Sequence, residues 1–151
     1  MKKFKFKLQS LLKIKNQEED IKKEKLTIQI KKLREIENNI DYLIKEIESY
    51  TGIYNTTSGS GLVLWNFSNY KDYLMNLNTK LVDEKRKKTD QAKLVKELQV
   101  EYLKLKRTVD SLAKIKEMKF QQYLTESQKA EYMVMDELAI TKHFRQEDKN
   151  D

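Results

Sequence analysis

Few side chains in this sequence are equipped for bond-making chemistry. The single histidine, His143, sits among polar residues near the C-terminus, and an imidazole needs a nucleophile, acid or metal beside it to act. Cysteine is absent, which removes disulfides, thiolate ligands and thiol nucleophiles. Acid pairs such as Glu18 and Glu19 lie inside charged runs and read as solvated faces. No cluster of His or acid residues has ligand spacing. The GSG of Gly59 to Gly61 follows a turn-rich stretch rather than a strand, so it is a turn and not a phosphate cradle. No catalytic residue, metal, cofactor or small-molecule substrate is expected.

Charge offers the next possibility. Of 151 residues 36% are charged, and the net charge is +7. Residues 1–15 hold six lysines and no acid, and Lys85 to Lys88 form a KRKK run. Nucleic-acid binding wants such residues on one face beside a known reading element. Here acids interleave along most of the chain, as on the outer faces of paired helices. Of solvated faces, an acidic protein partner and nucleic acid, solvated faces are the leading reading of these runs, and the expected partners are proteins and not nucleic acid. No apolar run approaches the length of a membrane span, about 20 residues. The start, MKKFKFKLQSLLKIK, is too interrupted by lysine to be a signal peptide, so the cytoplasm is the expected location.

The elements that position these residues follow from what is missing. Proline is absent and the three glycines are Gly52, Gly59 and Gly61, so nothing prevents helix over most of the chain. Steps of four and three from Tyr70 to Phe144 trace a seam in which 15 of 22 positions are apolar or aromatic, against 38% for the whole chain. That is the coiled-coil repeat. About 75 such residues make a helix of about 110 Å. Leu33, Ile36, Ile40, Leu43, Ile47, Tyr50 and Tyr54 step in the same way, and Phe4, Leu8, Leu11 and Ile14 suggest a looser face upstream. Between the two seams TGIYNTTSGSG gathers turn residues. The expected fold is therefore all-α: a long antiparallel two-helix coiled-coil hairpin with unequal arms. One helix spans about residues 4–54, a loop about 55–66 and a second helix about 67–145, with a flexible tail, in a single domain. The serines after the loop and Asn69 are candidate caps for the second helix.

Unequal arms have a consequence. Pairing Tyr50 near Tyr70 sets Phe4 opposite about Lys116, so residues from about 117 onward would extend without an intramolecular partner. That overhang carries Phe120, Tyr123, Leu124, Met133, Met135, Leu138, Ile140 and Phe144, and an apolar stripe on a lone helix calls for a partner. Near the loop Trp65, Phe67, Tyr70, Tyr73, Tyr50 and Tyr54 gather, either as a small core closing the hairpin or as a binding patch. Midway, Glu84, Lys88 and Gln91 face Ile36, Lys32 and Gln29 in the expected register. Such a polar layer fixes register at some cost in stability, so leucine at Lys88 and Gln91 is expected to raise the melting temperature.

The chain resembles the FliJ family, the small flagellar export proteins that form the stalk of the flagellar type III export ATPase. The resemblance rests on FKFKLQSLLKIK at the start and LIKEIESY before the loop. It continues through LWNFSNYKDYLMNL after the loop and MDELA, Met135 to Ala139, near the end. It implies a rod whose end bearing both termini inserts into the hexameric export ATPase ring and promotes its activity. On this chain that contact would involve Phe4, Leu8, Leu11, Tyr123, Met133, Met135, Asp136, Leu138 and Ile140. It further implies a contact with the membrane export gate through Leu43, Tyr50, Tyr73 and Leu77, with the protein held peripherally at the inner face of the membrane. Glu46 stands where the family pattern would place an aromatic. The family is also linked to escorting empty export chaperones. A general coiled-coil scaffold, and the equivalent stalk of a virulence-type secretion system, are the alternatives.

Overall fold

The computed structural model describes residues 2–58 and 64–150, and for residues 57, 58 and 64–67 the backbone alone. The fold is all-α. Helix α1, Gln9–Ser58, has 50 residues and helix α2, Leu64–Asn150, has 87. They pack against each other as an antiparallel hairpin with unequal arms. Among the described residues there is no strand. Two compact units are distinguished: Asp20–Lys104, and Met1–Glu19 with Leu105–Asp151.

In the unit Asp20–Lys104 the 3–4 alternation translates directly into burial. On α1, Leu26, Gln29, Leu33, Ile36, Ile40, Leu43, Ile47, Tyr50 and Tyr54 are buried or half-buried, while most of the positions between them are exposed. On α2 the same holds for Tyr70, Leu74, Leu77, Leu81, Glu84, Gln91, Val95, Leu98 and Tyr102. Each seam turns one narrow stripe toward the other helix, which is what a 3.5-residue repeat does on a 3.6-residue helix. Leu26, Ile40, Leu77 and Val95 are buried. The antiparallel sense is visible in two pairings: Gln29 meets Gln91, and Tyr50 meets Tyr70.

The expected polar layer is smaller than the periodicity suggested. Gln91 Nε2 donates to Gln29 O and to Gln29 Oε1, both at 2.9 Å. Lys88, by contrast, is exposed. Glu84 pairs with Lys87 at 3.2 Å on its own helix. A lysine stem is long enough to leave the seam and keep its ammonium in water, whereas the glutamine amide finds partners inside it.

In the unit Met1–Glu19 with Leu105–Asp151, Leu12, Val109 and Leu112 form a buried cluster with Phe6 packed against it. Here the expected N-terminal face is corrected. The chain is not helical from residue 4: residues 2–6 carry no regular structure, a turn follows, and helix begins at Gln9. Gln9 N donates to Phe6 O and Leu12 N to Leu8 O. Leu8, Leu11 and Ile14 are exposed at 40%, 42% and 51%. Lys3 to Leu8 alternates basic and apolar residues with a period of two, the pattern of an extended segment. Accordingly Phe4 and Phe6 are half-buried and Lys3, Lys5 and Lys7 exposed.

Extension also moves the register. An extended residue advances roughly 1.8 Å more than a helical one, so five of them gain about 9 Å, about six positions on a facing helix. Phe4 therefore sits not at Lys116 but against Phe120 and Tyr123, with ring centroids 5.3 and 5.6 Å away. Tyr123 Oη donates to Lys2 O at 2.8 Å. Phe120 and Tyr123 are thus packed, and the unpartnered part of α2 starts later than expected.

The helices also run into the expected loop. α1 continues to Ser58, with Thr56 Oγ1 returning to Gly52 O at 2.8 Å. Thr and Ser hydroxyls can satisfy themselves on the preceding turn and so stay helical. α2 begins at Leu64, which places Asn69 inside the helix and not at its cap. Residues 59–63 lie outside the described residues, as do the side chains of Trp65 and Phe67 and any part they have in an aromatic cluster.

Candidate protein-binding surfaces

Among the described residues, two surfaces gather accessible apolar or aromatic side chains. The first is on the C-terminal part of α2. Beyond Glu126 only Ser127 and Ala130 are half-buried, and every residue from Glu131 to Asn150 is exposed. Tyr132, Met133, Val134 and Met135 are consecutive and each more than half exposed. Successive helical residues turn by about 100°, so these four cover the whole circumference. A helix that is apolar all round belongs in an enclosing environment rather than against one neighbouring helix. Leu138, Ile140 and Phe144 extend the apolar surface, and Asp136 is exposed among them. His143 is also exposed, 3.6 Å from Glu147 on the next turn.

The second surface lies on α1 and α2 within the unit Asp20–Lys104. Tyr50 stacks edge-on to Tyr73 at 4.6 Å and reaches Tyr70 at 6.3 Å. A shallow groove of about 400 Å³ is lined by Tyr50, Asn69, Tyr70 and Tyr73. One turn back on α1, Tyr42 Oη donates to Glu46 Oε1 at 2.6 Å. That bond, and then the carboxylate's charge, raises the Tyr42 phenol above its ordinary value of 10.0. Partial loss of water raises Tyr73 likewise, followed by the nearby Glu46 charge. Of the residues the family resemblance pointed to here, Tyr50 and Leu43 are half-buried and Tyr73 is 37% exposed. Leu77 is only 2% exposed and is held in the seam. Tyr42 and Glu46 escaped sequence reasoning as a pair, although their i,i+4 spacing is the available signal.

On the N-terminal segment, Phe4 and Tyr123 are half-buried against each other, while Leu8 and Leu11 stay open to solvent. Tyr132 and Val134 join the exposed set without having been singled out. Among the described residues no group of three or more His, Cys, Asp or Glu side chains could hold a metal ion. None of their helices is long and apolar enough to cross a membrane.

What fold and surface define together is a two-helix coiled-coil protein with exposed apolar helix faces. The family model for the flagellar FliJ protein matches residues 4–148, and the chain belongs to the FliJ family. It is thereby a non-catalytic component related to flagellar protein export. Neither any curated protein nor any solved structure matches the chain.

Proposed function

We propose that the chain is the coiled-coil stalk of the flagellar export ATPase. It binds the hexameric ring through the segment from Ser127 to Phe144 and the N-terminal residues Phe4, Leu8 and Leu11. The observation that carries this reading is the run Tyr132 to Met135, apolar around the full helix and exposed throughout. A ring encloses what enters it, and such a socket suits this segment better than a single groove. Within it Met133, Met135, Asp136, Leu138 and Ile140 make the contact, and Tyr123 holds Phe4 beside them. Leu43, Tyr50 and Tyr73, supported by Leu77, serve as the contact with the membrane export gate, which keeps the protein at the inner face of the membrane. Export chaperones are further partners on the family's precedent.

The test is ATP hydrolysis by the same organism's export ATPase, alone, with the full chain, and with a chain ending at Glu126. Stimulation by the full chain that the shortened chain loses is the expected result. Equal stimulation by both would remove the ring contact from this segment. No stimulation, together with a dimeric mass in solution, would favour a self-associating scaffold instead.

A further inference from the structure

The stretch around Glu46 is acidic on a basic chain. From Glu37 to Thr79 there are five acids, Glu37, Asp41, Glu46, Glu48 and Asp72, against two lysines, Lys45 and Lys71. That 43-residue stretch carries −3, so the rest of a +7 chain carries +10. Five of the eight tyrosines, Tyr42, Tyr50, Tyr54, Tyr70 and Tyr73, lie in the same stretch. Glu46 is half-buried at its centre. Its hydrogen-bond donor is a phenol, Tyr42 at 2.6 Å, and the Tyr73 phenol lies near enough to feel its charge. Phenols satisfy lone pairs without neutralising charge. Among the described residues no lysine or arginine pairs with Glu46 within 4.0 Å.

We propose that Glu46, with the rings of Tyr42, Tyr50 and Tyr73, forms a receptor for an arginine side chain presented by a partner protein. Two requirements of guanidinium recognition coincide here. The carboxylate offers a charge-assisted acceptor already oriented by the Tyr42 phenol. The edge-on pair Tyr50 and Tyr73, 4.6 Å apart, offers ring faces beside it, and a planar cation is attracted to such faces. A groove of about 400 Å³ adjoins the ring pair, lined by Tyr50, Asn69, Tyr70 and Tyr73. Arginine fits better than lysine because its flat, weakly hydrated fork can stack and donate at once. The partner segment is therefore basic, although the chain as a whole is basic too. The inference rests on the reading of this surface as the export-gate contact, and it specifies what that contact recognises.

The full chain, with its tyrosine rings isotope-labelled, is titrated with N-acetyl-arginine amide and with N-acetyl-citrulline amide, its neutral isostere, and followed by NMR. The arginine compound is expected to shift Tyr42, Tyr50 and Tyr73 saturably, with citrulline at least about tenfold weaker, as loss of a charge-assisted bond implies. Glu46→Gln should weaken arginine binding by a similar factor while helix content and melting temperature stay unchanged. Citrulline as effective as arginine, or an unaltered titration in Glu46→Gln, overturns the proposal. The gate reading is scored separately by co-elution of the gate's cytoplasmic part with the full chain. Arginine binding without co-elution keeps the site and removes the gate as its source. Co-elution without arginine binding keeps the gate contact and rejects the site.

Discussion

The stretch Tyr70 to Leu81 and the stretch Ser127 to Phe144 lie on one helix and use similar residues, yet they differ in what covers them. In the first, the seam positions Tyr70, Leu74, Leu77 and Leu81 are all buried or half-buried against α1. In the second, the continuing positions Met133, Ile140 and Phe144 are 68%, 56% and 64% exposed. Hydrophobic spacing therefore says that a partner is required, but not whether the chain itself provides it. Where α1 supplies the facing stripe, the pattern becomes a core. Where it does not, the same kind of pattern becomes an interface.

Substitution separates the two most sharply at matched leucines. Leu77→Ala removes a side chain that is 2% exposed, and by the behaviour of buried leucines it should cost about 2–4 kcal/mol. Leu138→Ala alters a side chain that is 64% exposed and should change stability by less than about 0.5 kcal/mol. Thermal melts of both variants test this. Equal losses would mean that Leu138 is covered in the isolated protein, by a second copy for example, and the comparison would collapse.

A smaller effect is expected at the glutamine pair. Replacing Gln29 and Gln91 together with leucine removes the two 2.9 Å bonds and closes the seam with apolar contact. The melting temperature should rise by about 2–4 °C, which corresponds to about 1 kcal/mol for a chain of this size. The gain should come without help from Lys88, which is already exposed. Loss of the polar pin should also loosen the alignment of the two helices, visible as broadened amide signals. A lower melting temperature would show that these bonds stabilise the seam more than apolar packing can.

The smallest effect concerns pH. Glu101 hydrogen-bonds with Lys22 across the two helices. That bond, and then the lysine's charge, holds its carboxyl below the ordinary value of 4.5. A depressed carboxyl stabilises the fold above its unfolded value and loses that contribution as pH falls through the folded one. Stability should therefore decline below about pH 4.5, and Lys22→Gln should flatten that part of the decline. The pair is exposed, so the change should be slight. Melts at pH 3 to 6 on the variant and the parent measure it, and identical slopes would assign the acid sensitivity elsewhere.

The seam was legible because burial on a long paired helix follows position alone. From Leu33 to Tyr54 every residue picked out by steps of three and four is buried or half-buried. The same alternation carried backwards would have reached Leu26, Gln29 and the buried Leu12, and it passes over Leu11 and Ile14. The N-terminus was misleading because KFKFKL satisfies two periods at once. Its lysine–phenylalanine alternation fits an extended segment, while Phe4, Leu8 and Leu11 also fit a helix face, and short apolar sets do not decide between them. The tyrosine and glutamate cluster was only half visible. Aromatic residues near the loop were evident, but the bond from Tyr42 to Glu46 and the crossing of Tyr50 onto Tyr73 depend on which faces meet.

By itself the sequence determined that the chain is largely helix and that its two long helices pair. Those properties rest on local propensity and on a periodicity that any long helix must obey. The tertiary structure decided how far each helix reaches along the other and hence which apolar residues are left uncovered. That is set by the rise per residue, 1.5 Å in helix and about 3.3 Å when extended. A few extended residues at the start carried Phe4 on to Phe120 and Tyr123 and left the bare apolar run beginning only beyond them.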